Sequence, residues 1–404
     1  MNWMRRWPGG YPVFVAEAHG AHFADVDGNQ YVDFCLGDTG AMTGHDTIGS
    51  LGVIGPRRQG LTTMLPTEDA IWVGDELRRR FGLPWWQLAM TATDANRFLI
   101  RLARYATGRP RILVFNGCYH GTVDETLHVL RDGQVEPRTG NIGPPVAPAE
   151  TTRIVEFNDA EALERELAHG DVALVLTEPA LTNVGIVHPE PGFHEALRAM
   201  TRHTGTLLAI DETHTICVGP GGATIAWDLE PDAFVIGKTI GGGVPAAAYG
   251  LSAHFTDRVA TVLDGPYTDV SGIGGTLTGS ALALAAIRHT LSQRLVAADF
   301  DRMIPLARTW TEGVRDAYSD AGLDWSVQVL GARAEYCFGP APRNGGEATA
   351  LIDGTLEEFL HLWALNRGIL LTPFHNMALM SPATTRVDVD LHTAAFRSAM
   401  DAIV

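Results

Sequence analysis

Short apolar segments recur along the middle of the chain and are separated by stretches with helical periodicity. Each segment is continuously apolar rather than alternating, which is typical of strands buried on both faces of a parallel sheet. Amphipathic stretches such as AEALERELAHG and PGFHEALRAMTRHTG lie between several of them. The pattern predicts an α/β fold in which a large, mostly parallel sheet is flanked by helices. The predicted strands are 111–115, 172–176, 206–210, 233–237 and 246–253.

The two ends of the chain have a different texture. Near the N-terminus, polar and apolar residues alternate around Asp27-Gly28, which predicts two strands joined by a tight turn. Beyond a helix predicted at 280–295, long helices alternate with the strand-like VQVLG and AEYCFGP. We expect this C-terminal part and the N-terminal arm to form a smaller α+β domain. The predicted division is an arm with a small sheet at 1–45, a large domain at 46–290 and a C-terminal domain at 291–404.

Two helices and one loop are predicted in the part of the chain that also contains the candidate site residues discussed below. The helices span about 69–81 and 94–105, and Thr93 is the predicted N-cap of the second. The segment 138–153 is rich in Pro and Gly and lacks periodicity, so we expect a long loop at the entrance of the site.

The composition excludes several classes of partner. The 404 residues include 30 basic and 47 acidic side chains, and the net charge of −17 disfavours nucleic acid and anionic membranes. No apolar run approaches the length of a membrane span, and no apolar segment like that of a secretion signal follows the N-terminal arginines. The four cysteines form no CxxC pair, so neither a disulfide framework nor a metal cluster is indicated. We therefore expect a cytoplasmic protein without a metal site.

The basic residues are unusual in kind, because 29 are arginines and only one, Lys238, is a lysine. Arginine can replace lysine where only a positive charge is needed, but it cannot lose its proton and attack a carbonyl group. Lys238 follows a predicted strand in VIGKTIGGGVP, and parallel sheets bind ligands beyond the carboxyl ends of their strands. Lys238 is therefore a candidate nucleophile, with a solvated surface lysine as the alternative.

Three familiar motifs are incomplete in this chain. A P-loop needs a glycine six residues before its lysine, and that position holds Asp232. The glycines from Gly272 onward do not follow a buried strand, as a dinucleotide fingerprint requires. A zinc-protease helix starting at His194 would need a second histidine where Arg198 stands. The sequence therefore favours none of these three functions.

A lysine that forms a Schiff base fits the remaining candidates. Pyridoxal phosphate (PLP) needs an amine for its aldehyde, a carboxylate at its pyridine nitrogen, a phosphate cup and an aromatic ring beside it. Asp211 directly follows the predicted strand 206–210 on the same edge as Lys238, although it could simply cap the next turn. TATD at 91–94 opens a helix, and its amides could hold a phosphate or only receive a cap. Tyr119 follows another strand and could stack on a ring or belong to the core.

The order of these motifs resembles that of the class III PLP-dependent aminotransferases. The series is TATDAN, CYHG, TEPALTNVG, IDETHT, IGKTIGGGVP and GGTLTG, and the resemblance runs from DVDGNQYVDF to about residue 290. It implies fold type I with PLP as the cofactor. TATDAN departs from the family's S-G-[ST]-E-A by Ala for Gly and Asp for Glu, which keeps the amides of the helix N-terminus.

The resemblance also implies a role for each residue that matches a family motif. Lys238 would form the Schiff base and Asp211 would hold the pyridine nitrogen, which makes these two the implied catalytic residues. Thr276 would reach the phosphate of the neighbouring subunit, so a homodimer with shared sites is implied. The other implied cofactor contacts are Ala92 and Thr93 at the phosphate, Tyr119 and Thr213 at the ring faces, His214 near the phenolic oxygen, and Glu178.

Within the family, the chain is most similar to the branch that contains glutamate-1-semialdehyde 2,1-aminomutase and omega-transaminases. The aminomutase follows its Pro-Gly-Gly with Asn-Ser-Pro-x-Arg, whose arginine holds the substrate carboxylate. Here the chain goes directly from Gly10 to YPVF. Arg386 is not expected to replace that arginine, because TRVD is typical of an exposed, capped helix start. The aromatic residues Trp3, Trp7, Tyr11 and Phe14 predict an apolar pocket near the arm, with the alternative that they only pin the arm to the body of the protein.

The sequence therefore predicts a transaminase that moves an amino group from a hydrophobic amine or an ω- or β-amino acid to a keto acid such as pyruvate. Intramolecular transfer of the aminomutase type is the alternative. A cofactor-binding protein without turnover is a third hypothesis, and the retained lysine argues against it.

Overall fold

The computed structural model describes residues 13–45, 52, 60–61, 63–143, 146–264 and 272–404. The strands are β1 (Val15–His19), β2 (His22–Asp25), β3 (Gln30–Asp33), β4 (Trp85–Ala89), β5 (Arg111–Phe115), β6 (His128–Arg131), β7 (Gln134–Pro137), β8 (Thr152–Val155), β9 (Val172–Thr177), β10 (Leu207–Asp211), β11 (Ala233–Ile236), β12 (Ala247–Leu251), β13 (Ser326–Leu330), β14 (Arg333–Cys337), β15 (Ile369–Leu370) and β16 (Met377–Leu379).

The helices follow the same chain order. They are α1 (Glu68–Phe81), α2 (Ala92–Thr107), α3 (Pro148–Thr151), α4 (Ala160–Leu167), α5 (Phe193–Thr204), α6 (Gly222–Ala226), α7 (Ala253–Leu263), α8 (Ala281–Gln293), α9 (Ala297–Asp320), α10 (Gly345–Ala350), α11 (Gly354–Leu365) and α12 (Arg386–Ile403). Among the described helices, none is both long and apolar enough to cross a lipid bilayer.

The central sheet has seven strands in the order β4-β12-β11-β10-β9-β5-β8. Six of them are parallel, and β12 runs antiparallel between β4 and β11. Alternate residues of β11 enter two different core clusters, with Phe234 and Ile236 in one and Ala233 and Val235 in the other. The sheet is therefore buried on both faces, and the predicted α/β class with a large, mostly parallel sheet flanked by helices is confirmed.

Both ends of the chain contribute to the smaller α+β part of the molecule, which lies outside the central sheet. β2 and β3 form the predicted hairpin, and β15 from the C-terminal part pairs in parallel with β3. The strands β13, β14 and β16 form a separate sheet, and α9 and α12 pack against each other beside it. The N-terminal strands and the C-terminal part thus share one structure, as expected. The division at residues 45 and 290 stays a prediction.

Two local predictions were wrong. The N-cap of α2 is Thr91, not Thr93, because the Thr91 hydroxyl accepts from the amide of Asp94, the third residue of the helix. The predicted loop 138–153 is not continuous, because α3 occupies 148–151 and the edge strand β8 begins at Thr152. Pro148 starts the short helix at a position where a missing amide hydrogen has no cost.

Candidate active site

A cavity of about 500 Å³ lies beyond the carboxyl ends of the parallel strands. The segments that follow β4, β5, β9, β10 and β11 all contribute to its wall. This is the edge at which open parallel sheets bind ligands. Eight of the nine residues predicted for the cofactor site line it: Ala92, Thr93, Tyr119, Glu178, Asp211, Thr213, His214 and Lys238.

Lys238 begins a short 3₁₀ turn directly after β11, and its backbone lies in the left-handed region with φ 47. Its amine donates to Asp38 Oδ2 at 2.7 Å and lies 2.9 Å from His214 Nε2. Burial and then the charge of Lys238 lower the pKa of His214 to about 3, so the imidazole is neutral. A neutral Nε2 accepts from the lysine, which leaves Nδ1 to donate to Thr39 Oγ1 at 2.9 Å.

Asp211 is the last residue of β10 and is buried at the floor of the cavity. Asn96 and His120 both donate to its Oδ2 at 3.0 Å, and the Thr213 amide donates to its Oδ1 at 3.0 Å. Burial alone would raise the pKa of Asp211, but His120 and the other donors lower it to about 2. The carboxylate therefore keeps its negative charge in a buried place, where it can pair with a cationic group of a ligand.

Asp211 is followed by a second buried acid with a different environment. Glu212 accepts from the Thr215 hydroxyl at 2.6 Å, from the Ala223 amide at 3.1 Å and from the Thr224 hydroxyl at 2.6 Å. These partners belong to the 3₁₀ turn Thr215–Val218 and to α6, and none of them lines the cavity. The structure therefore distinguishes the two acids, since only Asp211 faces the cavity.

Glu178 follows β9 and is almost fully buried in the cavity wall. Burial raises its pKa to about 7, and the only hydrogen-bond donor found for it among the described residues is the Thr182 hydroxyl on Oε2. A carboxyl group with this pKa can exist in either protonation state near neutral pH.

The N-terminus of α2 provides a place for a phosphate group. The first amides of a helix have no partner within the helix, and their dipoles attract an anion. Gly237 lets the loop before Lys238 approach this end, because a Cβ there would lie 2.9 Å from the Cβ of Ala92. The loop after β5 is held at the same end, since the Thr122 amide donates to Thr93 Oγ1 at 3.2 Å. The residue that precedes Lys238 is therefore in close contact with the N-terminus of α2.

Tyr119 lines the cavity with about one third of its surface exposed. The guanidinium of Arg138 lies 5.7 Å from its ring centroid, outside the residues that line the cavity. An aromatic ring exposed in a cavity beside an amine, a buried carboxylate and a helix N-terminus fits a pyridine ring with a phosphate. The described residues therefore meet each chemical requirement of PLP.

The remaining predicted residues lie elsewhere. Thr276 is exposed on the turn after residue 275 and is not among the residues that line the cavity of its own chain. Arg386 is exposed at the start of α12 and pairs with Asp390 at 2.7 Å, beside the expected capping box. Phe14 is 64% exposed and does not line the cavity. Three other aromatic residues of the arm, Trp3, Trp7 and Tyr11, lie outside the described residues.

Sequence reasoning missed the residues that orient the site. His120 and Asn96 lie inside the quoted motifs CYHG and TATDAN, so their proximity to predicted residues was the available signal. Asp38 and Thr39 lie more than 170 residues from Lys238 and His214 in a short Gly-rich segment without periodicity. Nothing in the local sequence connects that segment to the lysine.

The family model of the class III aminotransferases matches residues 4–308 of the chain. The chain belongs to the class III aminotransferases. Enzymes of this class use PLP, so the predicted cofactor and the prediction of a PLP-dependent enzyme are confirmed. Its fold is that of the fold type I PLP enzymes.

Individual relatives fall in two functional groups. A solved glutamate-1-semialdehyde aminomutase from Pseudomonas aeruginosa PAO1 is 50% identical, with a TM-score of 0.97 over 100% of this chain and 91% of that chain. A glutamate-1-semialdehyde 2,1-aminomutase from Sorangium cellulosum is 35% identical over 98% of this chain and 90% of its own length. An omega-transaminase from Sphaerobacter thermophilus is 28% identical, with a TM-score of 0.87 over 98% of this chain and 92% of that chain. The predicted branch is therefore confirmed.

Proposed function

We propose that this class III enzyme is a transaminase that takes its amino group from a hydrophobic amine or an aryl-bearing β-amino acid and transfers it to a keto acid such as pyruvate. The observation that carries the proposal is the composition of the cavity wall. Among the described residues that line it are the acids Glu178 and Asp211 but no arginine. A donor carboxylate would therefore lack a bidentate partner, which normally contributes about 1.5 to 3 kcal/mol for each charged hydrogen bond.

Apolar side chains complete this wall. Met90, Val244, Pro245 and Ala246 line the cavity beside the catalytic candidates. An aryl group placed against them would gain roughly 25 cal/mol for each Å² of apolar surface removed from water. An unpaired carboxylate placed there would lose its hydration without compensation. The wall thus favours an apolar substituent on the donor.

PLP, when bound, supplies an aldehyde that takes up amino groups and a pyridine ring that accepts the electron pair released at the donor carbon. In our proposal Lys238 is the amine that holds the cofactor and, once displaced by the donor, moves the proton from the donor carbon to the cofactor. Asp211 keeps the pyridine nitrogen protonated. Ala92 and Thr93 bind the phosphate at the helix end, and Tyr119 and Thr213 contact the ring.

Two further residues complete the proposed cofactor site. His214 is neutral and hydrogen-bonded to Lys238, which places an acceptor beside the amine and next to the position proposed for the phenolic oxygen. Glu178 contributes a buried carboxyl group to the wall beside Asp211. Its raised pKa lets it take up a proton near neutral pH, and the protonated form is not repelled by that carboxylate.

We also propose a homodimer in which Thr276 reaches the phosphate of the partner subunit. Support comes from the surface around its turn, where Leu61 and Leu277 are about half exposed and Met64 and Leu65 are largely exposed. The Leu61 carbonyl accepts from the Ala281 amide at 3.2 Å, which brings the two segments together. Exposed apolar side chains that adjoin one another are typical of an interface.

Aminomutase activity is the second candidate, and the 50% identity to the Pseudomonas protein of that name favours it. The two activities differ in stoichiometry, because a mutase needs no second substrate. The test is kcat/KM for arylalkylamines, aryl β-amino acids, β-alanine and glutamate with pyruvate, beside glutamate-1-semialdehyde alone. We expect the aryl donors to give the highest kcat/KM. Efficient isomerisation of the semialdehyde without an acceptor would instead identify a mutase.

The roles of Lys238 and Asp211 are tested separately from substrate choice. Borohydride reduction should leave a pyridoxyl mass on Lys238, with the N-terminal amine as the only competitor in a chain with one lysine. Lys238→Arg keeps the charge but should abolish labelling and turnover. Asp211→Asn should lose roughly three decades in rate, whereas Glu212→Gln, which changes the adjacent acid outside the cavity, should remain near the parent rate. A wild-type label found only at the N-terminus would contradict the assignment of Lys238.

A further inference from the structure

Asp38 and Thr39 are consecutive residues on the turn that borders the cavity, and each holds one candidate functional side chain. Asp38 Oδ2 accepts from Lys238 Nζ at 2.7 Å, and Thr39 Oγ1 lies 2.9 Å from His214 Nδ1. The two held side chains also contact each other, since His214 Nε2 lies 2.9 Å from Lys238 Nζ. One short segment of backbone therefore determines where both the amine and the imidazole lie.

The backbone of this turn adopts a conformation that is costly for most residues. Leu36, Gly37, Asp38 and Thr39 have successive φ values of 44, 59, 50 and 79. Leu and Thr adopt positive φ rarely, because the Cβ of an L-residue is crowded by the backbone in this region. The turn is held in place by burial of Leu36 and by Asp33, which accepts from the Leu36 amide at 2.8 Å. Strain of this kind is retained where the geometry is needed.

The surroundings of Asp38 favour a permanent negative charge. Burial alone would raise the pKa of its carboxyl, but the charges around it hold the pKa well below the ordinary value. Its second oxygen, Oδ1, is buried and has no hydrogen-bond partner among the described residues. The titratable and charged groups that act on Asp38, or on which it acts, are Lys238, His214, His375, Arg333, Tyr119 and Cys35.

We propose that Asp38 is a positioning residue for Lys238. Its carboxylate holds the lysine amine by a charged hydrogen bond and stabilises the amine whenever the amine carries a proton. The proposal rests on the role proposed above for Lys238. In the proton transfer, the free amine takes the proton from the donor carbon, becomes an ammonium ion beside Asp38, and then passes the same proton to the cofactor. Asp38 itself neither gains nor loses a proton, and its fixed charge lowers the energy of the ammonium state.

The test uses the PLP-loaded enzyme and two substitutions that the backbone at this position accepts. Asn adopts the left-handed region more readily than most residues, so Asp38→Asn removes the charge with little backbone cost, and glycine in Asp38→Gly adopts φ 50 without strain. Asp132→Asn is the matched control, because Asp132 has φ 49 but lies on the exposed β6–β7 turn. The first readout is the pH midpoint of the cofactor's visible absorbance band. The second is kcat and KM for the best donor.

We expect both Asp38 variants to bring the absorbance midpoint down by about one pH unit or more, since a nearby carboxylate favours the protonated nitrogen. We also expect kcat to fall at least tenfold with KM for the donor little changed, because Asp38 acts on the lysine rather than on the substrate. Asp132→Asn should match the parent enzyme.

An unchanged midpoint together with an unchanged kcat in either folded variant would overturn the proposal. Borohydride labelling separates this failure from failure of the proposed function. Label on Lys238 in an Asp38 variant with parental spectra overturns only the role of Asp38. The absence of label on Lys238 in the parent enzyme would instead contradict the proposed role of the lysine itself.

Discussion

His120 donates from Nδ1 to Asp211 Oδ2 across 3.0 Å, and both side chains are buried beneath the cavity. Burial by itself would lower the pKa of His120, but Cys118 and Asp211 raise it well above its ordinary value. The charged imidazole and the carboxylate therefore stabilise each other. Asn96, which donates to the same oxygen, orients the carboxylate from the other neighbouring element, α2.

The first prediction concerns this pair. His120→Asn removes the positive charge and should raise the pKa of Asp211 from about 2 toward its ordinary value. Loss of a charged hydrogen bond of about 1.5 to 3 kcal/mol should lower kcat roughly ten- to a hundredfold. Because Asp211 must be ionised, the acid side of the pH–rate profile should move to higher pH. His128→Asn, at a buried histidine that does not line the cavity, is the control, and an acid side that stays in place in His120→Asn would contradict the prediction.

The sequence predicted the residues that lie at strand ends more successfully than those that orient them. Lys238, Asp211, Glu178 and Tyr119 each follow a buried apolar run, and parallel strands bring such positions to one edge whatever their separation in the chain. His120 was missed beside Tyr119, because two residues in a row after a strand cannot be ranked without knowing which one points inward. Only the three-dimensional structure distinguishes two such adjacent side chains.

The same limit applies to the fold. Continuous apolar runs located five strands of the central sheet to within one or two residues, but they carry no direction, so the antiparallel course of β12 was not predicted. The sheet strands β4 and β8 were missed for different reasons. WWQLA is a short segment interrupted by Gln87, and TRIV is half polar and begins within a Pro-rich stretch. Asp38 could not be linked to Lys238 because their contact depends on how the N-terminal strands dock onto the sheet.

The second prediction concerns the proposed contribution of Thr276 across a dimer interface. Heterodimers purified with one Thr276→Ala subunit and one Lys238→Ala subunit contain a single site with an intact lysine. If the threonine acts in trans, that site receives the intact threonine of the Lys238→Ala subunit. We expect such heterodimers to approach half the rate of the parent dimer. A rate no higher per lysine than that of the Thr276→Ala homodimer would show that each threonine serves its own subunit.

The third prediction concerns acid stability. His392 is fully buried against the rings of Phe34, Trp310 and Phe396, and burial lowers its pKa from 6.5 to about 3. The unfolded chain therefore binds a proton more readily than the folded one, so stability is complete above pH 6.5 and is lost as the pH falls toward 3. At pH 4.5 this histidine should lower the free energy of unfolding by about 2 to 3 kcal/mol.

The measurement is the free energy of unfolding in urea at pH 7.5 and pH 4.5. His392→Leu should be less stable than the parent at pH 7.5, because a branched aliphatic side chain does not match a site shaped for a flat ring, but its loss of stability on acidification should be smaller by that amount. His169→Leu, at an exposed position, is the control and should follow the parent at both pH values. An equal loss on acidification in parent and His392→Leu would show that this histidine does not stay neutral.

The last prediction concerns the contact between the loop after β5 and the proposed phosphate site. Gly121 has φ +83, and a Cβ placed on it would lie 2.1 Å from Thr93 Oγ1 and 2.9 Å from Thr93 Cα. Gly121→Ala must therefore displace either the loop or the first turn of α2, where Thr93 faces the cavity. We expect the Kd for PLP, measured by absorbance titration of the cofactor-free chain, to rise at least tenfold.

The control is Gly133→Ala, because Gly133 has a similar φ of +74 but nothing within 4 Å of the added carbon. This variant therefore imposes the same backbone strain without the clash. A Kd that rises equally in the two variants would mean that strain rather than the approach to Thr93 is responsible, and an unchanged Kd in both would place the phosphate away from this helix end.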